Sequence, residues 1–305
     1  MKRTHTKLNT AEGQTKRFGV GMLSPTVVIL LIMTAYPLIF TFFYSFTNYN
    51  LLRNLRSPAK ITVFQNYVKL LKDPYFQQSI WNTVKFTIFA VIFEMLIGFA
   101  MALFVNSLHK GQKTMRTLLL LPYLLPTVTV ALSWRMMLSP NYGIVNQVLQ
   151  ALHLPVFNWF SDIRTAFGML VLIDVWQSAP FVFLLLYAAL QSVPQGQYEA
   201  ARIDGAGPWR FFVDVVLPLS RTNTAALFVV LFIYGWNQYL WPLLVTNQES
   251  MYTIVMGIQR MVNIPDAVPE WNLIMAVALL GMLPPLLVVL GMQKLFVRGL
   301  VETEK

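Results

Sequence analysis

The 305-residue chain contains no cysteine, and its three histidines, His5, His109 and His153, lie far apart in the sequence. Without cysteine it forms no disulfide and offers no thiolate to a substrate or a metal, and the scattered histidines do not indicate a metal site. The sequence also lacks the phosphate-binding pattern that ends in Gly-Lys-Ser/Thr, a Ser/His/Asp arrangement and a dinucleotide-binding fingerprint. We therefore expect no catalytic residue, no metal site and no cofactor bound by this chain.

Charged residues are also scarce, at 12% of the chain, whereas 56% of the residues are hydrophobic. An ordinary soluble domain has about 25% charged residues, so this composition indicates a membrane protein. The net charge of +10 would suit nucleic acid, but basic residues beside apolar segments more often set the orientation in a bilayer. Because no nucleic-acid recognition motif is present, we expect membrane lipid, and no nucleic acid, as a partner.

Long apolar runs predict an all-α, polytopic membrane protein. About 20 apolar residues cross the hydrocarbon of a bilayer, and six segments of the chain reach that length. The predicted transmembrane helices are residues 20–44, 86–105, 117–137, 166–190, 223–245 and 272–296. The first run is too long for the apolar part of a signal peptide, so we expect a permanent anchor. A tail over residues 1–17 would precede a membrane domain over residues 18–305.

The distribution of Lys and Arg predicts that both termini lie in the cytoplasm. Basic residues cluster in residues 2–17, 110–116, 202–221 and 294–305, which six spans would place on one side. The loop after the first span carries six further Lys or Arg residues, but this loop is long and most of its charges lie away from the membrane. The other loops therefore decide the orientation, and the segment between the fourth and fifth spans faces the cytoplasm.

That cytoplasmic segment carries the most specific pattern in the chain. Residues 199–218 read EAARIDGAGPWRFFVDVVLP, which predicts a short helix, a turn at Gly205 and a second helix that begins at Pro208. The small side chains of Ala200 and Ala201 would let another protein approach closely. Glu199 and Asp204 would offer negative charge to Arg or Lys of that protein. The pattern therefore predicts a docking surface.

Glu199-Ala200-Ala201, Gly205, Val215 and Leu217-Pro218 resemble the EAA loop of binding-protein-dependent ABC importer permeases, with Val215 in place of the usual isoleucine. The resemblance implies the type I ABC importer permease fold, a multi-pass location in the bacterial cytoplasmic (inner) membrane, and a coupling loop over residues 194–221. It also implies that this loop docks on a cytoplasmic ABC ATPase dimer. The implied docking residues are Glu199, Ala200, Ala201, Asp204, Gly205, Leu217 and Pro218.

The same resemblance implies that ATP and Mg²⁺ bind the partner ATPase, and that this chain is a non-catalytic translocation subunit. A second permease subunit, in a heterodimer, and an extracytoplasmic solute-binding protein would complete the importer. Asn82-Thr83-Val84-Lys85 and Leu121-Pro122-Tyr123 are similar to the first permease subunit of sugar and glycerol-3-phosphate importers. Residues 234–242, YGWNQYLWP, are similar to the second subunit of the glycerol-3-phosphate system. The implied solute is a sugar or glycerol 3-phosphate, passed inward by alternating access.

Polar residues within the predicted spans are candidates for the solute pathway. Glu94, Asp174 and Asn237 each lie roughly 12 Å from the outer end of their predicted helix, and ionisable groups at such depth usually face a cavity or one another. For any one of these residues, a role only in hydrogen bonding between helices is about equally compatible with the sequence. The predicted pathway residues are Glu94, Asp174, Gln177, Ser178, Trp236, Asn237, Gln238 and Tyr239.

Two other functions remain open at the level of sequence. Glu94 and Asp174 would be proton or sodium sites in a secondary transporter driven by an ion gradient, but that function gives the EAA-like loop no role. A purely structural scaffold would leave the common depth of the polar residues unexplained. The spans contain no mid-span Lys or Arg to balance a phosphate, which favours a neutral sugar or polyol, whereas the similarity of the second half favours glycerol 3-phosphate.

Overall fold

The structure is a computed structural model that describes residues 2–52, 54, 58–192, 196, 210, 221–246, 248–263 and 268–302. These residues are mainly helical, and an isolated antiparallel bridge joins Thr47 to Ile61. The helices are α1 (Lys2–Ser45), α2 (Gln65–Lys72), α3 (Pro74–Ser107), α4 (Gln112–Leu124), α5 (Thr127–Met137), α6 (Ile144–Ala151), α7 (Ile163–Ser192), α8 (Arg221–Trp236), α9 (Leu240–Val245), α10 (Ile254–Val262) and α11 (Trp271–Glu302), with a 3₁₀ turn over Glu249–Met251.

Several of these helices are long and apolar enough to cross a membrane, which confirms the prediction of an all-α polytopic protein. Within the described ranges, the uninterrupted spans are Phe18–Ser45, Pro74–Ser107, Thr165–Gln191 and Trp271–Gln293. Among the described residues, four uninterrupted spans are found where six were predicted. The predicted helices over residues 117–137 and 223–245 are each divided into two shorter helices.

The division of the third predicted span occurs at Pro126. Leu125, at the C-terminal end of α4, has extended backbone angles of φ −78° and ψ 137°, because the residue before a proline is excluded from the helical region. Pro126 then forms the N-cap of α5. As a result α4 and α5 meet at an angle of 88°, and the segment is not one straight helix.

The fifth predicted span is interrupted after Trp236. The chain leaves helical geometry over residues 237–239 and resumes it at Leu240, with Tyr239 as the N-cap of α9 at φ −130° and ψ −61°. Pro242 lies in the first turn of α9, where the missing N–H of proline costs no helical hydrogen bond. The sequence therefore permits two short helices, α8 and α9, joined by an irregular link.

Helix α3 begins at Pro74, well before the predicted start at residue 86. The side chain of Asp73 accepts a hydrogen bond from the backbone N–H of Tyr75 at 3.0 Å, and Pro74 follows the cap. A capping carboxylate followed by proline is a strong start signal. The 34-residue helix is about 50 Å long, so it exceeds the roughly 30 Å hydrocarbon thickness.

The chain forms two compact units. One contains residues 1–70 and 262–279, and in it the buried amide of Asn66 on α2 joins three segments. Its Nδ2 donates to the carbonyl oxygens of Ser45 at 2.7 Å and Thr47 at 2.8 Å. Its Oδ1 accepts from Nδ2 of Asn272 at 2.9 Å. These bonds connect the end of α1, α2 and the start of α11.

The other unit contains residues 71–261 and 280–305, and its centre is the packing of α3 against α7. Gly98 of α3 lies so close to α7 that an added Cβ would be 2.6 Å from the Cβ of Val182. Val91, Phe99 and Ala102 of α3 pack there with Val182 and Phe183 of α7 and with Leu227 and Leu231 of α8. Helix α8 thus packs on the same core as α3 and α7.

Candidate functional site

An open cleft of about 640 Å³ lies at the interruption between α8 and α9. Its apolar wall comes from α8 and α9, and the described side chains that line it carry no ionised group at neutral pH. The polar residues of its lining supply three hydroxyl groups and two amides: Thr127, Tyr234, Asn237, Gln238 and Tyr239. The cleft therefore offers hydrogen-bond donors and acceptors without a fixed charge.

The irregular link after α8 places three predicted pathway residues at this cleft. Asn237 is exposed and donates through Nδ2 to the carbonyl oxygen of Ile233 at 2.8 Å. Tyr239 is half-buried. Gln238 is 6% exposed, and its carbonyl oxygen accepts from the hydroxyl of Thr253 at 2.8 Å. Gln238 thus forms part of the cleft wall, and its side chain extends into the core behind it.

Behind that wall, Glu94 and Asp174 form a buried acidic pair. Their side chains are only 1% and 4% exposed, and the two carboxyl groups lie within hydrogen-bonding reach of each other. Gln238 donates from Nε2 to Oδ1 of Asp174 at 3.1 Å, and the hydroxyl of Ser178 lies within hydrogen-bonding reach of Glu94. The structure therefore brings together four predicted pathway residues from α3, α7 and the link after α8.

Gln177 and Trp236, which were also predicted for the pathway, make hydrogen bonds between helices. Gln177 donates from Nε2 to the carbonyl oxygen of Leu125 at 3.0 Å, and Leu125 has left helical geometry before Pro126. Trp236 is 3% exposed and donates from Nε1 to the carbonyl oxygen of Gly281 at 2.8 Å. In this conformation both side chains bind backbone groups of neighbouring helices and do not line the cleft.

The predicted docking residues lie outside the described residues. They are Glu199, Ala200, Ala201, Asp204, Gly205, Leu217 and Pro218. Their role in binding an ATPase therefore remains a prediction from the sequence.

Sequence reasoning missed Thr127 and Tyr234, which both line the cleft. Both were assigned to the interior of predicted spans, and the structure interrupts those spans close to each of them. Pro126 and Pro242 were the available signals. Among the described residues, no three His, Asp or Glu side chains are arranged to hold a metal ion.

Comparison with protein families gives one match over most of the chain. The model of the family described as binding-protein-dependent transport system inner membrane component matches residues 94–302. This range begins at Glu94 and includes α4 to α11. Every predicted pathway and docking residue lies inside it.

Similar curated proteins include two sn-glycerol-3-phosphate transport system permease proteins named UgpE. The one from Agrobacterium fabrum (strain C58) is 51% identical over 155 residues, which cover 50% of this chain and 54% of that protein. The one from Pectobacterium atrosepticum is 58% identical over 128 residues, which cover 42% of this chain and 44% of that protein. The chain thus matches about half the length of these relatives.

A solved structure of a bacterial alginate ABC transporter, in complex with an alginate pentasaccharide-bound periplasmic protein, contains a chain of similar fold. The TM-score is 0.77 at 21% identity, and the match covers 92% of this chain and 94% of that one. Another structure, of a bacterial ABC transporter involved in the import of alginate, gives 0.77 at 22% identity over 94% of this chain and 98% of that one. At this identity the likeness establishes a common fold.

Proposed function

This chain belongs to the family of binding-protein-dependent transport system inner membrane components, and we propose that it is the permease subunit of an ATP-driven importer. It is a multi-pass membrane protein with the fold of ABC importer permeases. In the proposed function it passes a hydroxylated solute, glycerol 3-phosphate or a sugar, inward by alternating access. The observation that carries the proposal is the cleft at the interruption between α8 and α9.

A helix interruption at membrane depth needs a reason, because unpaired backbone groups are costly in hydrocarbon. Such irregular backbone is tolerated where it is buried in protein or lines a water-filled cavity. Here the link over residues 237–239 borders a cleft with hydroxyl and amide groups. Those groups can exchange hydrogen bonds with a polyol, and the ring of Tyr239 can pack against its C–H face. The cleft is therefore suited to a small hydroxylated solute.

We assign Asn237, Gln238 and Tyr239 to the solute pathway in the conformation described here, because they line the cleft. The other predicted pathway residues are buried behind it, and alternating access requires that helices rearrange between two states. The proposal retains these five residues for the state in which the helices have moved: Glu94, Asp174, Gln177, Ser178 and Trp236.

Two observations bear on the identity of the solute. Relatives that match this chain over about half of its length are named sn-glycerol-3-phosphate transport system permease proteins, which favours glycerol 3-phosphate. The cleft residues include no Lys or Arg to balance a phosphate, which favours a neutral sugar. Uptake of radiolabelled glycerol 3-phosphate, measured in competition with unlabelled sugars, distinguishes the two. We place glycerol 3-phosphate first, because sequence identity of 51% is the more specific observation.

The proposed partners are a cytoplasmic ABC ATPase dimer, a second permease subunit and an extracytoplasmic solute-binding protein. Both termini would lie in the cytoplasm, together with the coupling loop over residues 194–221. ATP and Mg²⁺ would bind the ATPase, whose closure pushes the loop and makes the helices rock. This chain would itself perform no chemistry.

The first experiment separates ATP-driven import from ion-gradient-driven transport. Cells that lack other uptake systems for the solute receive this chain together with the ATPase, permease and binding-protein genes that neighbour its gene. We expect uptake to stop when ATP is depleted while the ion gradient is held constant. Uptake that survives ATP depletion and collapses with an ionophore would instead identify a secondary transporter, with Glu94 and Asp174 as ion sites.

The second experiment addresses the coupling loop. Gly205→Ala and Gly205→Asp should abolish uptake while the chain stays in the membrane, because a side chain at this turn would disturb the left-handed conformation expected there. Gly196→Ala is the matched control in the same polar segment, since an added Cβ there meets nothing within 4 Å. Co-purification of the ATPase distinguishes lost docking from lost coupling. Full transport by both Gly205 variants would contradict the proposed role of the loop.

A further inference from the structure

We propose that Glu94 and Asp174 together form a proton-binding site, in which one proton is held between the two carboxyl groups. The site lies behind the wall of the cleft, at the packing of α3 against α7. The inference concerns these two side chains and does not depend on the solute or on the source of energy for transport.

Burial and isolation of the two carboxyl groups are the first observations that carry this inference. Glu94 and Asp174 are 1% and 4% exposed, and no Lys or Arg of the described part of the chain forms an ion pair with either. Glu94 Oε1 and Asp174 Oδ2 are buried, and no N–H or hydroxyl group of the described residues donates a hydrogen bond to either atom. Two carboxylates in such a place would repel each other while each loses its hydration.

The hydrogen-bond donors around the pair are enough to stabilise one ionised carboxylate. Gln238 donates to Oδ1 of Asp174 at 3.1 Å, and the hydroxyl of Ser178 lies within reach of Glu94. A proton between the two carboxyl groups supplies the remaining bond, since a protonated carboxyl donates through its O–H to a carboxylate. Each acid then accepts a hydrogen bond from one neutral side chain, Gln238 or Ser178, and shares the proton with the other acid.

The alternative, in which both carboxyl groups are ionised, would cost a large amount of free energy. An ionised side chain at the centre of a bilayer costs at least about 2.5–3.5 kcal/mol even where it is partly relieved, and two like charges in contact add to that cost. Paired carboxyl groups in low-dielectric sites therefore retain one proton between them. The same physical rule applies here because the two acids lie on helices that pack directly against each other.

A metal cation is a less suitable occupant than a proton. Hard cations are bound by several oxygen ligands, whereas Gln238 presents an N–H group to Asp174. That N–H occupies Oδ1 of Asp174, so fewer carboxyl oxygens remain for a cation. Among the described residues no third acid completes a ligand set. The geometry therefore favours the smallest cation, which needs only the two carboxyl oxygens.

The pair is connected to the cleft through Gln238. Tyr234 of α8 faces both acids and lies within hydrogen-bonding reach of Gln238, and Tyr234 and Gln238 both line the cleft. Among the described residues, the titratable groups of this cluster include the two acids, Tyr234 and Tyr123 of α4, which lies near Tyr234. Because the amide of Gln238 donates to Asp174, the protonated pair fixes the orientation of a residue on the cleft wall.

Infrared spectroscopy of this chain in a bilayer of ether-linked lipids, which contain no ester carbonyl that would absorb in the same region, tests the inference. Of the 13 Asp and Glu residues, Glu94 and Asp174 alone lie in the predicted spans, so a carbonyl stretch of a protonated carboxylic acid at neutral pH should come from them. We expect this band in the wild type. Absence of the band would overturn the inference. This measurement uses only the wild-type protein, so it does not depend on whether a variant folds.

Two conservative variants then test whether both residues share the proton. Glu94→Gln and Asp174→Asn should each shift or remove the acid band, because each replaces one of the two groups that hold the same proton. Glu94→Asp, which keeps a carboxyl group but shortens its reach, should also shift the band. Glu249→Gln is the matched control, since Glu249 is an exposed residue in an ion pair with Arg260. A band that is unchanged in either amide variant would overturn sharing.

A sodium series distinguishes a proton from a metal cation. The wild-type spectrum is recorded in sodium chloride and in choline chloride at the same pH. We expect the acid band to be the same in both salts. A band that appears only when sodium is removed would mean that sodium normally occupies the pair, and this result would overturn the inference.

Discussion

Substitution of Gly98 by alanine should force α3 and α7 apart. The added Cβ would lie 2.6 Å from Cβ of Val182, 2.7 Å from Cγ1 of Val182 and 2.9 Å from the backbone N of Phe183. Attractive contact between carbon atoms requires about 3.5–4.0 Å, so the helices would have to separate by about 1 Å. Rotation of the valine side chain does not relieve the overlap, because its Cβ and the nitrogen of Phe183 are fixed to the backbone of α7.

The expected cost follows from this geometry. Overpacking of a core typically costs about 1–3 kcal/mol, and we expect the upper end because no rotamer change relieves the contact. Replacing glycine by alanine in a helix returns about 1 kcal/mol, so the net loss is about 2 kcal/mol. Gly168→Ala on α7 is the matched control, since an added Cβ there meets nothing within 4 Å. That variant should gain up to about 1 kcal/mol.

Thermal unfolding of the purified chain in detergent, followed by circular dichroism, measures the difference between the two variants. We expect about 3 kcal/mol between them, roughly a hundredfold in the unfolding equilibrium constant. Adding Val182→Ala to Gly98→Ala should not restore stability, because the Cβ at 2.6 Å remains. The reasoning is refuted if Gly98→Ala is as stable as Gly168→Ala, or if removal of the valine methyl groups restores stability completely.

The hydrogen bonds of two side chains in the same unit, Trp236 and Asn82, lead to further predictions. Trp236→Phe keeps an aromatic ring, although a smaller one, and removes the 2.8 Å bond to the carbonyl oxygen of Gly281. It should lower the free energy of unfolding by about 1–3 kcal/mol; an unchanged unfolding midpoint would contradict this. Asn82→Ala removes the bonds from Nδ2 to the carbonyl oxygens of Ser250 at 2.7 Å and Tyr252 at 3.2 Å. It should cost a similar amount and speed limited proteolysis near Ser250, and protection equal to that of the wild type would count against it.

The sequence is sufficient to predict membrane helices and to identify Glu94 and Asp174 as ionisable groups that face a cavity or each other, because both follow from simple energetics. Apolar runs of spanning length have no other stable environment, and the predicted helix over residues 166–190 closely matches α7. Ionisable groups inside spans are expected to face each other or a cavity. Glu94 and Asp174 do approach each other, although they are 80 residues apart in the chain.

The broken spans could not be predicted, because proline alone does not determine where a membrane helix ends. Pro180 lies within the continuous helix α7, and Pro284 and Pro285 lie within α11, yet Pro126 separates α4 from α5. In a membrane, a freed backbone group is tolerated only where another group satisfies it. That partner comes from a distant part of the sequence, so the local pattern carries no information about it.

At Pro126 the distant partner can be identified. The carbonyl oxygen of Leu125, which lies at the break, accepts a hydrogen bond from the side-chain amide of Gln177 on α7 at 3.0 Å. The same helix supplies Asp174, which accepts from Gln238 at the other break. One turn of α7 therefore holds a polar partner for each of the two interruptions. Because Thr127 follows the first break and Gln238 lies in the second, and both line the cleft, the cleft depends on two polar side chains of α7 that do not line it.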